Sequence, residues 1–454
     1  MNRALITRVF LLFIVISPRV SPKSKTITHE LEFLESIGHQ PIATLSMQQA
    51  VDIAMEHRPD LQAYDHYIEA SKMAARQAWS GYLPAINFTS NQIAYKGTSG
   101  STNTTTMSAQ QLLYSFAGPQ EFYRRAKKNT AVVEFLSEAA KKTVRCEVEK
   151  AFLHSWLLQN QYKFFQSLQV STQKLYDQAV HRDKLDLLNR TDYLNETSNY
   201  AINTANVYSY KDDSNIAQRK LEFLMGKPLK LSINMHENTN PLETTRLEWD
   251  STREIVLQPI ETYYQYALQY RPEIKQGLKK IGIQKDSERI ARRTQLPTVS
   301  LVATAGRQPA CSEIADPFYL GREFYSYGAV FSWNIFDGLL SYFKTNEAHE
   351  NMIKEILNNQ QLINAIKSEV ETAFYTLSKS LTQLKAQNVD YTRAKNDFEF
   401  KQQELEIGDI SHVEFEVAQT EWQKSHFAWV TSYIDVAIKE RDLLFAAGYP
   451  PELG

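Results

Sequence analysis

Six basic side chains lie in two short clusters. Arg124, Arg125, Lys127 and Lys128 follow Gly118, and Arg292 and Arg293 precede Leu296 and Pro297. Cations near a helix start oppose its dipole, so this chemistry points to the phosphates of a lipid surface. A merely solvated face is the other reading. Trp79 and Tyr82 accompany the clusters. Catalytic patterns are missing: there is no Gly-rich phosphate loop, no His-Glu-x-x-His pair and no Gly-x-Ser-x-Gly turn. The ten histidines, among them His154 and His412, are scattered. The expectation is therefore no enzyme, no cofactor and no metal. Cys146 and Cys311 are the only cysteines, without zinc spacing or a disulfide framework. The architecture inferred below holds them too far apart for a bridge. A formal net charge of −2 over 454 residues gives no electrostatic case for nucleic acid.

Residues 1–21 have the form of a secretory signal. Arg3 and Arg8 precede an apolar run from Val9 to Ile16, which Pro18 and Arg19 stop. That run is too short to span a bilayer, and no later segment reaches the length of a membrane helix. Any insertion into lipid must use strands. Residues 22–43 form a polar N-terminal extension.

The most regular stretch runs from Gly338 to Gly408. Ile356, Ile363, Val370, Leu377, Leu384, Tyr391, Phe398 and Leu405 recur every seventh residue, with Ile366, Ala373, Phe374 and Leu381 beside them. A strict seven-residue period predicts one long, supercoiled helix of roughly 105 Å. Residues 120–225 likewise lack glycine and proline, where ordinary usage would place about a dozen. This stretch predicts a second long helix pair, though with no single heptad register. Its turn is expected at Asn189-Arg190-Thr191-Asp192, with Thr191 capping the return. In the later pair, Gly408 ends the long helix and Ser411 caps the return.

Short words repeat along the chain. Arg58-Pro59-Asp60-Leu61 returns as Arg271-Pro272-Glu273-Ile274, and Leu83-Pro84 as Leu296-Pro297, both displaced by 213 residues. Phe116-Ala117-Gly118 returns as Phe336-Asp337-Gly338 after 220, and the glycine at 226 returns at 448 after 222. Four echoes in one order imply a tandem duplication. The copies span 44–226 and 259–448, with 227–258 as linker and 449–454 as the C-terminal end. Each copy reads as helix, strand pair, long helix and return helix. In the first, Ser46 caps a helix to His57, and Arg58-Pro59 restarts another that ends near Pro84. Its strands fall at 85–96 and 104–116, and its hairpin at 118–225. In the second, strands fall at 298–307 and 324–336, and the hairpin at 338–447.

The last strand alternates best. Tyr325, Tyr327, Ala329, Phe331, Trp333 and Ile335 share one face, with Ser326, Gly328, Ser332 and Asn334 on the other. That is the pattern of a membrane β-barrel with aromatic residues at its interfaces. A soluble sandwich strand gives the same pattern, and the first strand pair alternates poorly. Four strands cannot close a barrel, and an open edge in lipid is costly, so copies must share one. Eight strands from two copies and twelve from three both remain open. Long hairpins likewise need lateral neighbours to bury their apolar stripes. A periplasmic coiled-coil structural protein is the rival.

The signal segment, the paired Arg-Pro-(Asp/Glu) and Leu-Pro words, the Phe-(Ala/Asp)-Gly strand exits and the Gly408-Asp409-Ile410-Ser411 turn resemble the TolC outer-membrane efflux protein family. The resemblance implies a mainly helical chain with a membrane β-barrel. As a homotrimer it would form a 12-stranded barrel in the outer membrane of a Gram-negative bacterium, continued by a 12-helix coiled-coil tunnel in the periplasm. It implies a passive conduit for small molecules, or alternatively a type I protein secretion duct. Its partners would be a periplasmic adaptor, an inner-membrane transporter and outer-membrane lipid. In that family, acids after the second turn ring the tunnel entrance. Here the position falls on Glu414, and the next acidic position falls on Val417. Polar positions that lock the closed tip fall on Leu405 and Ile410, which leaves apolar contacts or the first-copy tip around Asp192. Adaptor docking would use the turns, Gly408, Asp409 and Ser411 together with Asn189 and Thr191.

Overall fold

Capping and proline chemistry set the helix starts. The structure, a computed structural model, describes residues 45–94, 101–185, 189–227, 257–308, 322–407, 409–410 and 412–451. The expected signal segment, the N-terminal extension, most of the linker, Cys311, Gly408 and Ser411 lie outside these residues. The chain divides into two units, residues 1–45 with 229–237, and Ser46–Pro228 with Asn238–Gly454. Every element below belongs to the second.

Helix α1, Met47–His57, opens on a capping box in which the Ser46 side chain accepts from Gln49 N–H and the Gln49 side chain accepts from Ser46 N–H. Pro59 then occupies the first turn of α2, Pro59–Ser80, where its missing N–H leaves no bond unmade. Strands β1, Ala85–Ala94, and β2, Ser101–Ser115, follow. Next come the long helix α3, Pro119–Lys184, and its return α4, Arg190–Met225. The same order resumes with α5, Ile260–Tyr270, α6, Pro272–Arg293, β3, Thr298–Gln308, and β4, Arg322–Ser332. It ends with α7, Leu340–Ile407, and α8, His412–Ala446. At 66 and 68 residues, α3 and α7 each extend about 100 Å.

Each long helix packs on its return helix, and on the helix preceding its strand pair. The second half is cored by Tyr263 and Ala267 of α5, Ile366, Val370, Ala373 and Leu377 of α7, and Val436 and Leu443 of α8. Burying a side chain such as Leu377 contributes about 1.5–3 kcal/mol. The seven-residue stripe is thus buried at its centre, while Ile356 stays exposed within a single chain. Farther along the hairpin, rings close the gap: Phe398 stacks on Trp422 at 4.8 Å and Tyr391 on Trp429 at 5.5 Å. His426 lies in this stack, and burial pulls its pKa below the usual value. In the first half, Phe165 stacks on Tyr210 at 4.4 Å.

Several boundaries differ from the sequence expectation. Asn189, not Thr191, caps α4: its Oδ1 accepts from Thr191 N–H at 3.2 Å. Ser101, Thr102 and Asn103 belong to β2, paired with Ala94, Ile93 and Gln92, so only residues 95–100 separate the two strands. Trp333 and Ile335 lie beyond β4, whose ladder stops at the Ser332–Thr298 pair. The physical reason is Pro297, which has no N–H to continue pairing.

The repeated Arg-Pro and Gly words meet in space. Gly226 has φ 68° and a Cβ there would lie 3.1 Å from Arg58 Cα; Gly448 has φ 82° and a Cβ there would lie 3.0 Å from Arg271 N. Arg58 reaches Glu147 on α3 at 3.2 Å, and Arg271 reaches Glu369 on α7 at 2.8 Å. Arg271 also donates from Nε to the Ala446 carbonyl at 3.0 Å. Gly448 N–H bonds Phe445 O and Tyr449 N–H bonds Leu444 O, the paired closure that needs a left-handed residue at the helix end. Gly448→Ala is expected to lower unfolding stability by about 2 kcal/mol, read from denaturant midpoints in detergent. An unchanged midpoint would remove the glycine's structural role.

Candidate functional site

Three regions carry the residues singled out from sequence: the sheet, the junction between sheet and helices, and the helix turns. The sheet runs β1-β2-β3-β4, all antiparallel. Residues opposite one another in such a ladder share a face. One row is therefore Phe88, Met107, Ala305 and Tyr325, and the next but one is Ile86, Ala109, Ala303 and Tyr327. The row between them, Asn87, Ser108, Thr304 and Ser326, lies on the opposite face. Leu301 with Ala329 and Val299 with Phe331 extend the apolar side. A register shift between Leu112 and Tyr114 brings Tyr114 opposite Val299 on that side. This continuous apolar face includes strands that alternate poorly when read singly. Tyr325 and Tyr327 are 82% and 84% exposed, and Trp333 is exposed past the strand end. Toward the β3–β4 connection, the Arg307–Glu323 ion pair at 2.6 Å bounds the apolar face.

At the junction, Trp79 packs edge-on against Tyr82 and Tyr123. The basic clusters find carboxylates within the chain. Glu121, in the first turn of α3, receives Arg293 at 3.0 Å, Arg124 at 3.4 Å and Arg289 at 3.6 Å. Buried Asp286 receives Lys128 at 2.7 Å. Arg292 pairs with Glu288 at 3.1 Å, and Arg125 lies over the Phe122 ring with a long bond to Ser287. Glu121 thus answers the helix dipole that the cations oppose. The clusters tie α3 to α6, a role that sequence reading missed because Glu121 and Asp286 lie far apart along the chain.

At the turns, Asn189, Thr191, Asp192, Asp409 and Glu414 are all exposed. The Asp409 N–H closes the end of α7 on Glu404 O at 3.0 Å. Lys401 pairs with Glu404 at 2.8 Å, and its pKa rises through that bond, with Glu414 among the charges contributing. Reading the sequence did not find Glu196. Burial first, then the charges of Glu416 and Asp192, push its carboxyl above the ordinary 4.5. Glu196 therefore lies within electrostatic reach of both Asp192 and Glu416. The spacing of Asp192 and Glu196, four apart on one helix face, was the available signal. Among the described residues, no group of three His, Cys, Asp or Glu is placed to hold a metal ion. No helix among them is long and apolar enough to cross a membrane.

This order of two long hairpins around one four-stranded sheet is matched by known proteins. Residues 263–448 fit the family model described as outer membrane efflux protein. Similar solved structures include the CmeC outer membrane channel of Campylobacter jejuni, with 16% identity and a TM-score of 0.70, over 89% of this chain and 85% of that one. The open-state MtrE outer membrane channel of Neisseria gonorrhoeae has 14% identity and a TM-score of 0.69, over 88% of each chain. CusC, in structures describing transmembrane channel formation, has 16% identity and a TM-score of 0.70, over 91% of this chain and 95% of that one. At these identities the likeness is one of fold, and the chain has the fold of outer-membrane efflux channels. No curated protein matches by sequence.

Glu196 fixes a pH dependence. Its folded pKa lies above the unfolded value, so ionisation is harder in the folded tip, and local stability falls as pH rises from about 4.5 through the raised pKa. The protection factors of amides in the first turns of α4, that is, exchange corrected for its base-catalysed intrinsic rate, are expected to be larger at pH 5 than at pH 7.5. Glu196→Gln should flatten that difference; a difference that persists in the variant would clear Glu196 of the effect.

Proposed function

We propose that this protein is a trimeric channel in the outer membrane of a Gram-negative bacterium, a passive conduit for small molecules in a tripartite export system. Two tandem copies, 44–226 and 259–448, would each supply two strands and one long hairpin. The observation that carries this reading is the sheet. It has an apolar and a polar face, and among the described residues its outer strands β1 and β4 each pair on one side only. Three such sheets supply twelve strands, within the even-numbered range of closed membrane barrels, and closure would satisfy each outer edge with a neighbour's. The apolar face of Tyr325, Tyr327 and Phe331 would meet lipid, with Trp333 at the interface. The exposed parts of Arg124 and Arg292 would lie near headgroup phosphates.

The long hairpins would extend the barrel as a periplasmic tunnel. Glu414 and the acids around Asp192 would set the charge of its narrow end and favour cations. The turns at Asn189–Thr191 and Gly408–Ser411 would receive the adaptor, through which the inner-membrane transporter connects. No step of bond chemistry is needed in such a duct. The purified chain in detergent is expected at three times the mass of one protomer and to give discrete conductance steps in planar bilayers. Glu414→Ala should weaken cation selectivity and block by multivalent cations. A stable monomer that needs no amphiphile, or bilayers that stay silent, would overturn the proposal.

A further inference from the structure

The two halves meet along a polar seam inside the chain. Glu149 of α3 is 1% exposed, held by Arg145 at 2.8 Å, by the Tyr449 hydroxyl at 3.2 Å and near Arg441 Nε at 3.9 Å. Beside it, Lys150 pairs with Asp442 at 2.8 Å. Arg441 and Asp442 come from α8 and Tyr449 follows it, so this seam is where the second half covers the long helix of the first.

Helix α7 is the counterpart of α3, and a single shift of 222 residues aligns them. Val144 and Ile366, Val148 and Val370, and Ser155 and Leu377 are buried on both helices. The acids that receive the Arg-Pro arginines, Glu147 and Glu369, obey the same shift. Within each half, the packing is therefore in register. Across the seam, the correspondence breaks. Leu153 is 3% exposed, but its counterpart Tyr375 is 65% exposed. Glu149 is buried, but its counterpart Glu371 is exposed and bonded to the Tyr264 hydroxyl. Among the described residues, what α7 lacks is the cover that α8 gives α3. The helix equivalent to α8 is α4, and the counterpart of Arg441 there is Arg219. Its side chain is 80% exposed, with a bond to Glu222 at 3.0 Å.

We propose that the uncovered face of α7 is closed by α4 of a second copy, in the register that α8 uses on α3, so that Glu371 meets Arg219 of that copy. The opposite charges of the two exposed groups fit this placement. A guanidinium with five donors and a carboxylate with several acceptor sites can each keep the bond it already has and make another. The contact joins unlike surfaces, head to tail, the kind of interface that forms a ring when the rotation between copies closes, as in the trimer proposed above. This inference rests on the trimeric reading and specifies its helical interface.

The test uses the full chain with Cys146→Ala and Cys311→Ala, reconstituted in detergent. Glu371→Cys and Arg219→Cys together, treated with a short bismaleimide, should give covalent dimers and trimers on a denaturing gel. Either cysteine alone should not. A flexible linker is preferable to oxidation, because two long side chains can pair across more than the ~7 Å between Cα atoms that a disulfide tolerates. The pair Glu149→Cys with Arg441→Cys should crosslink within one protomer, which then gains the mass of one linker and stays at the monomer position on the gel. In the otherwise unaltered chain, Glu371→Arg should speed dissociation of the oligomer by on the order of tenfold, and adding Arg219→Glu should largely restore it. A trimeric mass with no 371–219 crosslink and no rescue would overturn this register while leaving the trimer standing. A monomeric mass for the unaltered chain would overturn the channel reading beneath it.

Discussion

Along the outer edges of β1 and β4, backbone N–H and C=O groups point away from the only strands that pair with them among the described residues. In water such groups are solvated. Against hydrocarbon each would go unsatisfied at a cost of several kcal/mol. The sheet's apolar face suits hydrocarbon and its two edges do not, so the same four strands both favour lipid and require further strands. The proposed ring answers that conflict.

The helices meet an analogous constraint with different chemistry. A helix satisfies its own backbone, so what remains to be partnered is side-chain surface. Inside the chain, α3 is covered on both flanks; Glu121 meets Arg289 and Arg293 of α6, and Glu149 meets Arg145 of its own helix with Arg441 of α8 at 3.9 Å. Breaking such pairs leaves a buried charge, which is strongly destabilising. The seam therefore fixes registration between the halves more than it adds net stability. The Gly-Arg contacts at Gly226 and Gly448 act similarly. They admit the chain reversal only where no Cβ intrudes, and so pin each return helix to the Arg-Pro turn of its own half.

The far ends of the hairpins bring acids of the two halves within electrostatic reach. Glu196 lies within electrostatic reach of Asp192 and Glu416, and burial first, then those two charges, make its carboxyl resist ionisation. Rings rather than ion pairs hold much of the hairpin leading there, as in the Phe398–Trp422 stack. Offset aromatic stacks add about 0.5–1.5 kcal/mol beyond their buried area.

Periodicity and local chemistry determined much of this protein without coordinates. The seven-residue recurrence through Val370 and Leu377, the stretch without glycine or proline before Gly226, the Ser46 capping box and the proline-led helices are written in neighbouring residues, so they are legible in order. The alternation of β4 is local too. The apolar face of β1 and β2 is not, because which residues share a face depends on the ladder, and the shift at Leu112 and Tyr114 changes it part-way. Nor could reading along the chain find Glu149 beside Arg441 and Tyr449, or Glu196 beside Glu416, since those partners are separated by hundreds of residues. Sequence spacing determined what each element is; only the packing of distant segments decided which charges and which faces it meets, because Coulomb and contact forces act through space and not along the chain.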